Sequence, residues 1–265
     1  MRRALLSLLA MVLLPVPALC YTAYVIDVKQ GSSTFIRLSD RSGVLIDAGR
    51  STAAPHIIKY LKGRGVDTIK LAIISHPDPE HFGGLEEIIL SKKFVVGKVV
   101  KNPDKSSDRA YKTLMGTINR KKIPVIIVKK DRKIGGLEIK NAGASGGDLD
   151  HRSLVVYYSD YKSIAIMGDA DVRAEKGLLS MKADILVLGN HGDSKATCKE
   201  FLDSLKPEMV FISADKRRFG TPTADLIQRL KNKKIPYFRT DKMGDIEVSV
   251  YDWALRVNGQ EVIAR

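Results

Sequence analysis

Within the six residues His76-Pro77-Asp78-Pro79-Glu80-His81, four side chains are able to hold a metal ion, and Gly83-Gly84 follow almost directly. Imidazoles and carboxylates at this density suit zinc, manganese or iron, and the two prolines stiffen the backbone that presents them. Prolines and an aspartate are also what a plain turn uses, but a turn does not need two histidines when the whole chain has five. Two divalent cations about 3.5 to 4 Å apart can share a hydroxide, which makes a nucleophile near neutral pH, and they stabilise charge on the attacked group. Further candidates are scattered along the chain: Asp169 in Met167-Gly168-Asp169, His191 in Gly189-Asn190-His191-Gly192, and His151, two residues before Ser153. In isolation His151 is a surface histidine by default. Asp27 and Asp47 close apolar strands, where they either orient ligands from behind or cap turns. His56 falls in a helical stretch and reads as an ordinary surface residue.

Those residues need a scaffold, and the apolar pattern supplies short strands alternating with helical stretches. Strands are expected at Thr22 to Val28, Thr34 to Leu38, Val44 to Asp47, Lys70 to Ser75, Val95 to Val100, Val125 to Val128 and Leu137 to Lys140. A second series follows at Leu154 to Tyr158, Ser163 to Met167, Ile185 to Leu188, Met209 to Ser213, Tyr237 to Thr240 and Ile246 to Tyr251. Helical spacing marks Pro55 to Gly63, Leu85 to Leu90, Arg109 to Asn119, Val172 to Met181, Thr197 to Leu205 and Thr223 to Asn232. The chain is α/β, and two sheets covered by helices account for it better than one open sheet.

Composition narrows the class. With 265 residues, 44% hydrophobic and 28% charged, the chain is neither disordered, collagen-like nor a polytopic membrane protein. A net charge of +14 favours an anionic partner such as nucleic acid, a phosphorylated substrate or a membrane surface. Arg2 and Arg3 precede an apolar run from Ala4 to Leu14, and Val16-Pro17-Ala18 provides small residues for signal cleavage after Ala18. That pattern predicts a signal peptide over 1–18 and an exported, periplasmic or extracellular protein, with no stable membrane span in the mature chain. A lipoprotein acylated at Cys20 is the minority alternative, since Leu19 stands where a small residue is usual. Removing 1–18 takes away two arginines and no acids, so the basic surplus belongs to the folded part. Cys20 and Cys198 can make at most one disulfide; Cys198, at a helix start, is expected to be buried.

The motifs, taken in order, resemble the metallo-β-lactamase superfamily, whose first metal motif reads His-x-His-x-Asp-His. They look most like the extracellular hydrolase domain of ComEC-type DNA-uptake proteins, where the second histidine is commonly aspartate. The likeness runs from Val25-Ile26-Asp27-Val28-Lys29-Gln30-Gly31-Ser32-Ser33 and Val44-Leu45-Ile46-Asp47-Ala48-Gly49 through Arg152-Ser153-Leu154-Val155-Val156. It continues through Met167-Gly168-Asp169, Gly189-Asn190-His191-Gly192, Phe219-Gly220-Thr221-Pro222 and Tyr237-Phe238-Arg239-Thr240-Asp241. It implies a four-layer αββα sandwich spanning residues 19–265 as a single domain. It also implies two divalent metal ions, zinc or manganese. His76, Asp78 and His151 are then ligands of one, and Glu80, His81 and His191 of the other, with Asp169 bridging and Asp78 and Asp169 as catalytic carboxylates. Asp27, Asp47 and Asn190 stand behind the ligands.

Three positions depart from the family pattern. Glu80 stands where aspartate is usual, Asn190 opens what is normally His-His-Gly, and Thr221 replaces a histidine before proline. Of the basic runs, Lys129 to Lys133, Lys216 to Arg218 and Lys231 to Lys234, the second follows a strand end beside the metal edge. There Lys216, Arg217, Arg218 and Thr221 can hold substrate phosphates through charge, without sequence preference. No aromatic series for base stacking accompanies them. The leading reading is an exported metal-dependent phosphodiesterase or nuclease acting on DNA or nucleotides. The alternatives are a catalytically weakened binding module for an anionic partner, or a hydrolase of another ester or amide such as a β-lactam or thioester.

Overall fold

The computed structural model describes residues 18–141, 143, 148–252 and 254–264. The expected leader lies outside the described residues apart from Ala18. Six strands open the chain: β1 (Leu19–Val25), β2 (Thr34–Ser39), β3 (Ser42–Ile46), β4 (Thr68–Ile74), β5 (Val95–Lys101) and β6 (Val125–Ile127). The next seven form a separate sheet: β7 (Arg132–Ile134), β8 (Leu137–Lys140), β9 (Val155–Ser159), β10 (Ser163–Ile166), β11 (Ile185–Val187), β12 (Met209–Ile212) and β13 (Tyr237–Arg239). The chain then returns to the first sheet with β14 (Ile246–Tyr251), β15 (Ala254–Val257) and β16 (Gln260–Ala264), giving the order β16-β15-β14-β1-β2-β3-β4-β5-β6.

Parallel pairing occurs where helices make the crossovers. In the first sheet β3, β4, β5 and β6 are parallel, connected through α1 (Ala54–Gly63), α2 (Pro79–Phe82), α3 (Leu85–Leu90) and α4 (Arg109–Arg120). In the second, β10 to β13 are parallel. Their connections carry α5 (Val172–Lys176), α6 (Lys199–Leu205), α7 (Lys216–Phe219) and α8 (Ala224–Asn232), and α9 (Thr240–Met243) follows β13.

Strand alternation divides the buried side chains into layers. Along β1, Tyr21, Ala23 and Val25 join a core that also holds Ile166, Ile185 and Phe211 of the second sheet. Tyr24 points the other way, into a core shared with Ile57, Leu61, Ile88 and Leu114 of the first sheet's helices. A third core packs Ala165, Leu186 and Val210 against Phe201, Leu202 and Leu226. Three cores separate four layers, helix, sheet, sheet, helix, as the motifs implied. Each large apolar side chain buried in them contributes about 1.5 to 3 kcal/mol.

The expected strands are all present with small shifts of their ends. The pattern did not mark β7, the β15–β16 hairpin or the four-residue helices α2, α7 and α9, and helix over Val172 to Met181 ends at Lys176. Among the described residues no helix is long and apolar enough to cross a membrane.

Candidate metal centre

The carboxyl ends of the parallel strands in both sheets meet at one edge, where an α/β protein presents loops to a ligand. The end of β4 delivers Ser75 and His76. The next turn is capped by Asp78, whose carboxylate accepts from Glu80 N at 3.2 Å, with Pro79 in the first position of α2. This cap places Glu80 and His81 on consecutive positions of α2. Gly31 lets the neighbouring loop approach, because a Cβ there would lie 1.9 Å from Glu80 O, and its φ of +103° suits only glycine. From the second sheet, Gly168 turns the chain after β10 to present Asp169, and the loop after β11 presents His191. Asp47, Asn190 and His191 all hold positive φ, strain of about 1 kcal/mol or more each that the surrounding packing maintains.

Three imidazoles are oriented from behind through Nδ1. His81 Nδ1 donates to Asp47 Oδ2 at 2.7 Å, and Asp47 also accepts from Ser75 N and Ser75 Oγ, both at 2.8 Å. His76 Nδ1 lies 3.0 Å from Ser153 Oγ and 3.1 Å from Ser75 Oγ, and His191 Nδ1 donates to Ser213 O at 3.2 Å. The three Nε2 atoms then converge on Asp169. His81 is 3.1 Å and His76 4.0 Å from Oδ2, while His191 is 3.5 Å from Oδ1. Glu80 Oε1 stands 3.5 Å from His191 Nε2, while its Oε2 accepts from Gln30 at 2.6 Å and Arg50 at 3.3 Å. Backing of this kind fixes the tautomer and aims a ring at a cation.

Two donor sets result, Glu80, His81, Asp169 and His191 in one and His76, Asp150 and Asp169 in the other, with Asp169 common to both. Two observations test whether they suit cations. Asp169 Oδ1 and His191 Nε2 are buried without a hydrogen-bond partner, although they face each other. Asp150, in turn, is raised above its ordinary pKa by burial and by the charges of Asp169 and Asp148. A cation satisfies the orphaned atoms and relieves the crowded carboxylates, so the residues fit divalent metal.

Protons occupy this role when metal does not. Burial works against a charged His81, but Asp169 and Asp47 override it and hold the ring well above its ordinary value. Burial likewise opposes charge on His191, yet Asp169 and Glu80 raise it to about 10. Burial raises Glu80, but the His191 ring 3.5 Å away, through its proximity and charge, brings it down to about 2. Asp169 is also held well below the carboxylate range by His81 and His191, against its burial. His76 goes the other way, lowered to about 4 by burial and by the charge of His81.

The sequence-predicted residues sort accordingly. His76, Glu80, His81, Asp169 and His191 come together, and Asp47 backs His81 as one of its two expected roles. The longer Glu80 reaches the cluster. Two members of the implied ligand set stand apart from the donor cluster. His151 Nδ1 is bound to Asp171 Oδ1 at 3.1 Å, because Asp171 caps α5 and draws the ring outward, and the preceding Asp150 turns inward in its place. Asp78 is engaged as the cap of α2 and is in neither donor set. Asn190 donates to Asp150 Oδ2 at 3.1 Å, so it positions the carboxylate that the sequence reading missed. An Asp-His pair before Ser153 was the available signal, with the histidine as the more conspicuous candidate.

The remaining residues lie further out. Asp27 binds the turn of Lys29 and caps rather than orients, with Lys29 Nζ at 2.6 Å. Thr221 lines the cleft beside Asn190 and His191. Lys216, Arg217 and Arg218 are exposed on α7, and Lys216 Nζ donates to Gly220 O at 2.6 Å. His56 pairs with Asp245 at 2.9 Å on the surface. Cys20 and Cys198 are free, and Cys198 is half-buried where its Sγ caps α6 by accepting from Phe201 N.

Comparison with known proteins agrees with this geometry. The profile described as "Metallo-beta-lactamase superfamily" matches residues 26–214. Among curated proteins the chain is similar to "ComE operon protein 3" of Bacillus subtilis (strain 168), with 27% identity over 84% of this chain and 32% of that protein. It is also similar to "Recombination protein 2" of Haemophilus influenzae, with 24% identity over 88% of this chain and 29% of that one. The chain thus spans about a third of the length of these relatives. In fold it resembles "a possible metal-dependent hydrolase" from Veillonella parvula, at a TM-score of 0.55 and 13% identity over 86% of this chain and 99% of that one. A metallo hydrolase of Ignicoccus hospitalis gives 0.52 and 16% over 85% and 98%.

Proposed function

The chain belongs to the metallo-β-lactamase superfamily, and on that premise we propose that it is an exported phosphodiesterase or nuclease acting on DNA or nucleotides with two divalent ions, zinc or manganese. The observation that carries this reading is the convergence of three Nδ1-anchored imidazoles on Asp169, whose second oxygen is buried and unpartnered. In the proposed arrangement His76 and Asp150 hold one ion, Glu80, His81 and His191 the other, and Asp169 both. Two such cations supply an acidified water and positive charge for the attacked phosphate.

The protein's own residues do the rest. Asp47 and the serines at 75 and 153 keep the rings in one tautomer, so the donor atoms meet a substrate already aligned. Asn190 holds Asp150, Gln30 holds Glu80, and Lys216, Arg217 and Arg218 attract phosphate over a longer range. Oxygen-rich ligation by Asp150, Asp169 and Glu80 makes manganese a strong candidate beside zinc. The DNA-related names of the curated relatives and the chain's basic surplus support a nucleic-acid substrate. Export is supported by the leader pattern, and β1 begins at Leu19, the residue that cleavage after Ala18 exposes.

The test is Asp169→Ala. It is expected to abolish metal-dependent cleavage of DNA and of bis(p-nitrophenyl) phosphate while leaving DNA binding largely intact. Changing Lys216, Arg217 and Arg218 together to Ala is expected to do the reverse, weakening binding and flattening its salt dependence at unchanged metal content. Wild-type protein that cleaves neither substrate with zinc, manganese or iron overturns the proposal.

A further inference from the structure

The cleft beside the donor cluster is small, about 100 Å³, and is lined by Glu80, Asn190, His191, Phe219 and Thr221. It admits a phosphate group and little more. Lys29 and Gln30 also line this cleft, and on their far side opens a larger cavity of about 620 Å³ bordered by Arg50, Thr52, His56 and Arg218. That volume falls in the range of pockets that enclose a nucleotide-sized ligand.

The charges in the larger cavity are unevenly committed. Its two acids are occupied: Asp27 accepts from Lys29 N and Nζ, and Asp245 Oδ1 accepts from Asp27 N at 2.8 Å and lies 2.9 Å from His56 Nε2. The cations are freer. Arg50 reaches Glu80 only at 3.3 Å and is 44% exposed, and Arg218 makes no ion pair among the described residues. Arg218 instead lies 5.3 Å from the ring of Phe219, itself 40% exposed at the mouth of the cleft. Two guanidinium groups around a room of this size are suited to a phosphate, which they can bind in a bidentate manner. A ligand with anionic groups at regular intervals therefore finds one position at the metal donors and another next door.

We propose that this cavity is a subsite for the nucleotide adjoining the scissile phosphodiester, so that the preferred substrate is a polynucleotide strand rather than a free nucleotide. This rests on the phosphodiesterase reading above, and its test is arranged to separate the two. Thr52 is exposed on the cavity wall and touches none of the metal donors, so Thr52→Trp fills the room from a position that tolerates change.

Binding of a fluorescein-labelled 12-nucleotide single strand to metal-free full-length protein is read by anisotropy across salt concentrations. In parallel, manganese-loaded protein is assayed on the same strand and on bis(p-nitrophenyl) phosphate. Thr52→Trp is expected to weaken strand binding and raise KM for the strand at least tenfold, with bis(p-nitrophenyl) phosphate turnover unchanged and Thr52→Ser matching wild type. Thr52→Glu, a smaller change that sets a like charge on the same wall, is expected to lower strand affinity with bis(p-nitrophenyl) phosphate turnover unchanged, which decides the matter even if Thr52→Trp does not fold. Wild-type strand binding by both variants overturns the subsite, as does an equal loss on both substrates by Thr52→Trp. Absence of hydrolysis by wild type sinks the phosphodiesterase reading, while the anisotropy result still decides the cavity.

Discussion

At the donor cluster, cations and protons compete for the same nitrogen atoms. His81 and His191, held high by Asp169 and its neighbours, carry protons at pH 7 when no metal is bound, and a metal must displace them. Zinc or manganese titrated calorimetrically at pH 7 in buffers of different ionisation enthalpy should therefore release about two protons per chain. Apparent affinity should climb with pH up to about 10, where His191 deprotonates unaided. An affinity independent of pH between 6 and 9 contradicts this picture. Glu80 makes a second case. Because Oε1 reaches the cluster while Oε2 is held by Gln30, Glu80→Asp should withdraw the ligand and weaken metal binding about tenfold or more. Were the glutamate a defective ligand, the same change would strengthen binding. Asn190→Ala should cost a similar factor by freeing Asp150, with rescue by Asn190→Gln excluded by the longer reach.

Among the elements, α2 depends on its contact with the loop after β1. A Cβ on Gly31 meets the backbone carbonyl of Glu80 and is disfavoured by the local φ, so Gly31→Ala should destabilise the fold by about 1 to 3 kcal/mol in urea and weaken metal binding with it. Stability loss without loss of metal affinity would show that the loop does not position α2. This scale also shows what the sequence made legible. Strands of alternating or continuous apolar residues were readable because burial imposes their period, and the first metal motif because its ligands are adjacent. The exchange of His151 for Asp150 was not readable, since it depends on Asp171 capping α5 and drawing the neighbouring ring away. Helices of four residues such as α2 and α7 are too short for a period, and are set by Asp78 and Asp215 as caps. The β15–β16 hairpin turns on Asn258-Gly259, both at positive φ, a signal that was present in the sequence but that a reading by apolar period does not use.

For the whole molecule, the donors come from both sheets, His76, Glu80 and His81 from one side and Asp150, Asp169 and His191 from the other. Metal therefore links the two halves, and saturation at about 100-fold over Kd adds about 2.7 kcal/mol. Calorimetric scans with and without chelator should differ by about 5 °C or more, and Asp169→Asn should remove most of that difference. The metal-free protein should be most stable near pH 6.5. Above that value the stabilisation from protonated His191 is lost progressively toward pH 10, while below it the unfolded chain gains by protonating His76, whose folded value is about 4. Glu80 adds a further loss as the pH falls below 4.5 toward its folded value of about 2. Metal loading should move the optimum to higher pH, and denaturation midpoints measured from pH 5 to 9 check both curves. The position of β1 carries a different consequence. It lies inside the larger sheet between β2 and β14, with Val25 paired to Ile246, so the first strand finds one of its two neighbours only after all seven strands of the second sheet have followed it. Contacts so distant in sequence form slowly, and a nascent chain that ends before Ile246 keeps one side of β1 open. The first sheet thus closes only after every strand of the second has been made, and a chain cut short before Ile246 presents an open apolar strand edge to other chains.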